Sequence, residues 1–243
     1  MNIVIPLAGA GKKFQERGYT FPKPLIDIGG KPMIQWVVEN LNTEGNFIFI
    51  VLKEHYEKYQ LSYLLNLIAP GCTIIQADGP TEGAACTVLL AEQYINNDHP
   101  LIIANSDQVL GWNSNEFFYA MAQEECDGGI VTFKSTHPRF SFAKRGDNGF
   151  VCEVAEKRPI SDDATAGIYY WNHGSDFVRA ARQMIKKNIR TNNEFFICPS
   201  FNESLQEGKK IRMFPVKQMW SLGTPEDLEV FRGLLRSAIS TAR

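Results

Sequence analysis

LAGAGKKFQERGYTFPKPLIDIGGK, residues 7–31, follows a short apolar run, Asn2 to Pro6, that reads as a buried strand. A glycine-rich turn placed directly after such a strand gathers backbone N–H groups, and Gly9 and Gly11 permit close approach and unusual φ. The loop is also basic: Lys12, Lys13, Arg17, Lys23 and Lys31 stand against only Glu16 and Asp27, on a chain of formal charge −2. Cations are thus concentrated where backbone donors converge, which suits a triphosphate. The backbone of Leu7, Ala8, Gly9, Ala10 and Gly11, together with Lys12 and Lys13, forms the candidate phosphate cradle. An ordinary tight strand-to-loop turn accounts for the glycines alone equally well.

Two glycine loops are excluded. A Walker A loop, G-x-x-x-x-G-K-[ST], fails because Gly11-Lys12 is followed by Lys13 rather than a hydroxyl. A dinucleotide fingerprint fails because Phe14 stands where a third glycine is needed. The second half of the stretch, Phe21-Pro22-Lys23-Pro24 running on to Gly30-Lys31-Pro32, adds something more specific. Prolines on both sides stiffen the backbone around Lys23, so its long side chain loses less freedom on meeting an anion. The combination of glycine loop, PKP and GKP resembles the sugar nucleotidylyltransferases, the nucleoside-diphosphate-sugar pyrophosphorylases. The resemblance puts Lys13 where the family usually has an arginine, keeping the charge without the bidentate fork.

The remaining composition is ordinary for a globular chain, with 44% hydrophobic residues and scattered charge over 243 positions. We expect one domain, residues 1–243, with a nucleotide-binding half at 1–112 and an acceptor-binding half at 113–243. The near-neutral balance gives no footprint of nucleic-acid or membrane partners. No apolar run reaches the roughly 20 residues of a spanning helix, and no signal-like leader is present, so a cytoplasmic location is expected. Five scattered cysteines without a C-x-x-C pair read as small buried thiols, and no His or Cys spacing fits zinc. G-x-S-x-G is absent, leaving serine-hydrolase chemistry unsupported.

Along the chain, apolar strands at Phe47 to Leu52, Cys72 to Gln76 and Pro100 to Asn105 alternate with helical patterns. Those patterns are Met33-Ile34-Val37-Val38-Leu41, Glu54 to Ala69 and Thr81 to Tyr94, with Pro32 read as a first-turn proline. Alternation of this kind predicts an α/β fold with a mainly parallel sheet covered on both faces, ligands gathering at the carboxyl ends of the strands. Asp107, in Leu101-Ile102-Ile103-Ala104-Asn105-Ser106-Asp107-Gln108, falls just past such an end. A carboxylate there can hold Mg²⁺ or cap local backbone amides. Gln76 and Gly83 flank a stretch of small residues that either admits a flat base or packs helix on sheet. Beyond Asn113, strand-like runs at Gly128 to Lys134, Phe150 to Ala155 and Ala166 to Trp171, with the turn Arg145 to Gly149, indicate hairpins. Asn193-Glu194 reads as the opening of another helix.

The family resemblance implies a Rossmann-like, three-layer fold of nucleotide-diphospho-sugar transferase type with a β-rich acceptor-side lobe. It implies Mg²⁺ or Mn²⁺ as cofactor on Asp107, Gln76 and Gly83 at the base, and Lys23 and Lys13 as catalytic cations. It places Glu156, Lys157, Gly167, Asn193 and Glu194 at the phosphorylated acceptor. In Trp220-Ser221-Leu222-Gly223-Thr224-Pro225, Thr224 and Pro225 suit a helix start. The family's second metal ligand there is an aspartate, and Ser221 takes its place. The expected reaction transfers CMP, UMP or dTMP from a nucleoside triphosphate to a sugar 1-phosphate or a phosphoglutamine-like acceptor, with release of pyrophosphate. The PKPLIDIGGKPM and WSLGTP forms are most similar to those of capsule-pathway members, and a homo-oligomer is compatible with the family. Two other readings stand beside it: a glycosyltransferase of related architecture, for which a D-x-D motif is missing, and a nucleotide-sensing protein without turnover.

Overall fold

The computed structural model describes residues 1–9, 11–123 and 125–241. Strand β1 (Asn2–Pro6) leads through helix α1 (Lys12–Glu16) and a single 3-10 turn (Lys23–Leu25) to a small hairpin, β2 (Asp27–Ile28) and β3 (Lys31–Pro32). Next come α2 (Met33–Leu41), β4 (Asn46–Leu52), α3 (Lys53–Lys58), α4 (Leu61–Ile68) and β5 (Thr73–Ala77). Then follow α5 (Ala84–Leu89), α6 (Glu92–Ile95), β6 (Leu101–Ala104) and β7 (Gln108–Gly111). The later part runs through α7 (Ser114–Gln123), β8 (Gly128–Lys134), β9 (Ser141–Arg145), β10 (Val151–Glu156) and β11 (Asp163–Trp171). It ends with α8 (Gly174–Lys186), α9 (Ser200–Gln206), β12 (Ile211–Pro215), β13 (Gln218–Ser221) and α10 (Pro225–Thr241).

β6, β1, β4 and β5 lie side by side and parallel. β11 joins antiparallel to β6, β8 pairs antiparallel with β11, and β12 lies parallel to β8, so a mixed sheet grows around a parallel centre. The β9–β10 hairpin attaches through β9 to β11 and supplies the lobe at that end. The central strands are apolar throughout because both of their faces are covered. Ile3, Ile5, Phe49, Val51 and Ile102 point into one core with α2, α4 and α7. Their neighbours Val4, Ile48, Ile50, Leu101 and Ile103 point into a second core with α5, α8 and α9. Strand side chains alternate faces, so one continuous apolar run serves two layers at once. Each such side chain, fully buried, contributes about 1.5–3 kcal/mol. Among the described residues no helix is long and apolar enough to cross a membrane.

Several boundaries differ from the sequence expectation. The helix expected over Glu54 to Ala69 is two helices, broken at Gln60 (φ 49°), which turns the chain so that Leu61 and Leu65 reach the core. The helix expected from Thr81 starts only at Ala84, because Gly83 adopts φ 134°, and it stops after Leu89. Pro32 is extended and precedes α2 instead of lying in its first turn. No helix opens at Asn193-Glu194: Asn192 and Asn193 have φ of 49° and 64°, in a turn closed by backbone bonds between Thr191 and Glu194. Local asparagine chemistry, which tolerates the left-handed region, prevails there over helical pattern.

Candidate active site

The loop after β1 and the segment after β6 meet at the carboxyl edge of the parallel strands. Lys23, launched from the 3-10 turn between Pro22 and Pro24, brings its Nζ to 2.9 Å from Asp107 Oδ2, with both side chains about a quarter exposed. They border a cleft of about 490 Å³ also lined by Leu7, Ala8, Gly9 and Lys12. Only Gly11 of the two loop glycines takes an unusual φ, 63°; its Cα faces Lys23, whose Cβ would lie 3.7 Å from an added methyl. A methyl on Gly9 would meet nothing within 4 Å. That bare surface lets a ligand oxygen approach the backbone. Lys13 does not line the cleft: one residue round the helical turn of α1 carries its exposed side chain away, and Lys12 is the loop lysine at the wall. Ala10 lies outside the described residues.

The opposite wall is made by Pro80, Thr81, Gly83, Ala84 and Thr87, with Glu194 and Phe196 from the distant turn. Here the chain crosses itself: Phe195 N donates to Glu82 O at 2.8 Å, and Ala85 N donates to Phe195 O at 3.0 Å. A methyl on Gly83 would stand 2.5 Å from the Phe195 backbone. Glycine is needed at 83 for this crossing. Gln76 sits exposed on β5, the edge strand, and is not among the cleft-lining residues.

A second cavity of about 190 Å³ adjoins the first, sharing Ala84, Asn105 and Phe196 with it. Glu156, Lys157 and Gly167 all line it, with Ser141, Thr165, Tyr169, Arg139 and Cys198. Burial pushes the Glu156 carboxyl above its ordinary range, partly offset by donation from Ser141 Oγ to Glu156 Oε2. Burial likewise raises the Tyr169 phenol and the Cys198 thiol well above their usual values. Lys157 holds a left-handed φ of 54°, its N–H donating to Phe140 O at 3.0 Å, and its Nζ lies 4.4 Å from the centre of the Phe196 ring. Arg139 is fixed at this cavity's rim by Asp227, both of whose carboxylate oxygens accept at 3.0 Å. Asn193 is exposed, gives its carbonyl to Arg190, and is not among the residues lining either cavity.

The end of β13 closes the corner beside Asp107. Leu222 N donates to Asp107 O at 2.7 Å. A methyl on Gly223 would stand 2.9 Å from Asp107 Oδ2 and 3.5 Å from Ser221 Oγ, so both oxygens lie against one bare Cα. Thr224 caps α10 as its sequence suggests, its Oγ1 accepting from Asp227 N at 3.2 Å. No group of three acidic, histidine or cysteine side chains suited to a metal occurs among the described residues. The corner therefore offers one carboxylate and one hydroxyl, a donor set that fits a hard divalent ion only when substrate phosphates and water complete its shell. Sequence reasoning missed Asn105 and Phe196, the two larger side chains shared by the cavities. Asn105 stood two residues before Asp107 in a stretch already singled out, whereas nothing local marks Phe196.

A bifunctional protein GlmU of Methanocaldococcus jannaschii is 25% identical over 248 residues, covering 99% of this chain. A mannose-1-phosphate guanyltransferase of Schizosaccharomyces pombe is 26% identical over 93% of the chain. The chain spans 56% and 62% of the lengths of these two relatives. The crystal structure of a nucleoside-diphosphate-sugar pyrophosphorylase from Vibrio cholerae shares the fold, with a TM-score of 0.80 at 24% identity, covering 95% of this chain and 99% of that one. The model of the nucleotidyl transferase family matches residues 3–234, nearly the whole chain, and the protein belongs to that family.

Proposed function

We propose that this protein transfers a nucleotidyl group from a nucleoside triphosphate to a phosphorylated small molecule, releasing pyrophosphate. The observation that carries the reading is the Lys23–Asp107 pair at the edge of a glycine-walled cleft that adjoins a second, polar cavity bearing Lys157 and Glu156. In this reaction a phosphate oxygen of the acceptor forms a bond to the α-phosphorus of the triphosphate. The bond from that phosphorus to its β-bridging oxygen breaks, and pyrophosphate leaves with the electron pair. The attacking phosphate is already anionic near neutral pH, so positioning and charge neutralisation matter more than a general base. The loop backbone and Lys12 would hold the terminal phosphates, Lys23 would neutralise charge on the transferring group, and Lys157 would hold the acceptor phosphate. Glu156 would accept from polar hydrogens of the acceptor.

Asp107 and Ser221 would hold Mg²⁺ or Mn²⁺. When bound, such an ion supplies positive charge to phosphate oxygens. We favour a sugar 1-phosphate as acceptor, since mannose 1-phosphate is named for one relative, and a role in building glycans such as capsule or surface polysaccharide. CMP, UMP or dTMP would be the group transferred. Pyrophosphate release with Mg²⁺ tests this, crossing CTP, UTP, dTTP, ATP and GTP with sugar 1-phosphates and phosphorylated amino-acid derivatives. Release dependent on one triphosphate and one acceptor is expected; nucleotide binding without release in any combination would overturn it.

A further inference from the structure

Resting on that reading, we propose that the carboxamide of Asn105 makes a direct hydrogen bond to the phosphoryl oxygens at the point where the two substrates meet. Of the three residues shared by the two cavities, Ala84 and Phe196 are apolar, so Asn105 is the polar side chain at their junction. Its position is set from several directions. Asn105 follows β6, its N–H donates to Gly167 O at 2.8 Å, and its carbonyl accepts from Gln108 Nε2 at 2.8 Å. The side chain lies over the bare Cα of Gly167, where an added methyl would come within 2.5 Å of Nδ2. Gly167 has φ 75° and lies where the pairing register of β11 with β8 shifts, so the strand itself makes room for the amide.

The backbone of Asn105 is thus fully engaged while its carboxamide makes no hydrogen bond among the described residues. A positioned but unused donor, two residues from Asp107, is suited to an oxygen that arrives only with substrate. A neutral amide can donate to a phosphoryl oxygen without adding charge to the site.

The test is steady-state pyrophosphate release by the wild-type protein, Asn105→Leu, Asn105→Ser and Gly167→Ala, with direct titration of Mg²⁺ and the productive triphosphate. Asn105→Leu preserves volume and removes the donor. We expect kcat to fall about 100-fold, the low end of the range for one lost transition-state donor, while triphosphate affinity stays within twofold. Asn105→Ser, which keeps a shorter donor, should lie between Asn105→Leu and wild type, a grading that a packing defect would not produce. Gly167→Ala should lower kcat with Asn105 intact, by displacing the amide. An Asn105→Leu protein with wild-type kcat, or one whose loss of kcat matches its loss of triphosphate binding, would overturn the role. So would failure of Asn105→Leu to fold alongside a folded Asn105→Ser of unchanged kcat. A wild-type protein silent with every combination would instead remove the transferase reading and the Asn105 role with it.

Discussion

Where α8 packs beside α9, charged side chains close on one another. Lys209 Nζ lies 3.1 Å from Asp127 and 2.9 Å from Asp176, and Arg179 lies 2.6 Å from Asp176 and 2.7 Å from Glu207. Lys187 meets the fully buried Glu203 at 2.6 Å. Along the cleft and its adjoining cavity the same residue types stand farther apart: Lys12 and Lys157 form no ion pair among the described residues, and Asp107 has the single cation Lys23. Three carboxyls, Asp176 and Glu207 on the flank and Glu156 at the site, are shifted in opposite senses. Burial would raise Asp176, yet Lys209 and Arg179 outweigh it and hold the carboxyl below its usual range; Arg179 does the same to Glu207. At Glu156 burial prevails, with donation from Ser141 and the charge of the adjacent Lys157 against it. On the flank, folding satisfies the charges; at the site it leaves Lys12 and Lys157 to be satisfied by ligand.

The sharpest way to break this contrast is Lys23→Ala. If the cleft's charges serve turnover, kcat should fall by about 10²–10³. The partly exposed pair should contribute only about 0–1 kcal/mol to stability, and a large drop in the urea midpoint with turnover intact would reverse the assignment. Lys187→Met makes the converse test. It strands the buried Glu203 carboxylate, one of whose oxygens already lacks a partner. The cost should be about 2 kcal/mol in urea unfolding, less than the roughly 3–5 of a fully buried pair because Lys187 is half exposed. Turnover per folded molecule should be unchanged.

Glu156→Gln should have the smallest effect on stability and the most informative pH dependence. A carboxyl raised in the folded state binds its proton more tightly there than in the unfolded chain. The protein therefore loses stability as pH rises from the ordinary glutamate value, about 4.3, to the raised folded value, and no further above it. Glutamine should remove that decline, giving equal or greater thermal stability at pH 7 with weaker acceptor binding. Scans of Tm between pH 4 and 8 check the first part, and acceptor KM the second.

The sequence made the parallel centre legible because continuous apolar runs have only one comfortable place in an α/β fold, between two layers. It made Lys23 and Asp107 legible because proline stiffness and a strand's carboxyl end are local signals. What it concealed were consequences of distant encounters. Lys12 and Lys13 differ only in their phase around a five-residue helix, which chain direction alone fixes. Gly83 is needed for a backbone more than a hundred positions away, and Phe196 becomes a wall through the same crossing. Ser221 was marked by its departure from a pattern, and the bare Cα of Gly223 that brings its hydroxyl toward Asp107 has meaning only in three dimensions.

The crossing of residues 82–85 with Phe195 also bears on how the molecule comes into being. A chain synthesised from its N-terminus exposes β1, the glycine loop and Lys23 first, yet one wall of the larger cleft waits for Glu194 and Phe196, and the corner at Asp107 waits for Leu222. Contacts so far apart in sequence form late. A ribosome-bound fragment ending before residue 190 would carry the phosphate loop in an open groove, so competence for ligand should appear abruptly as the segment from Glu194 to Leu222 emerges.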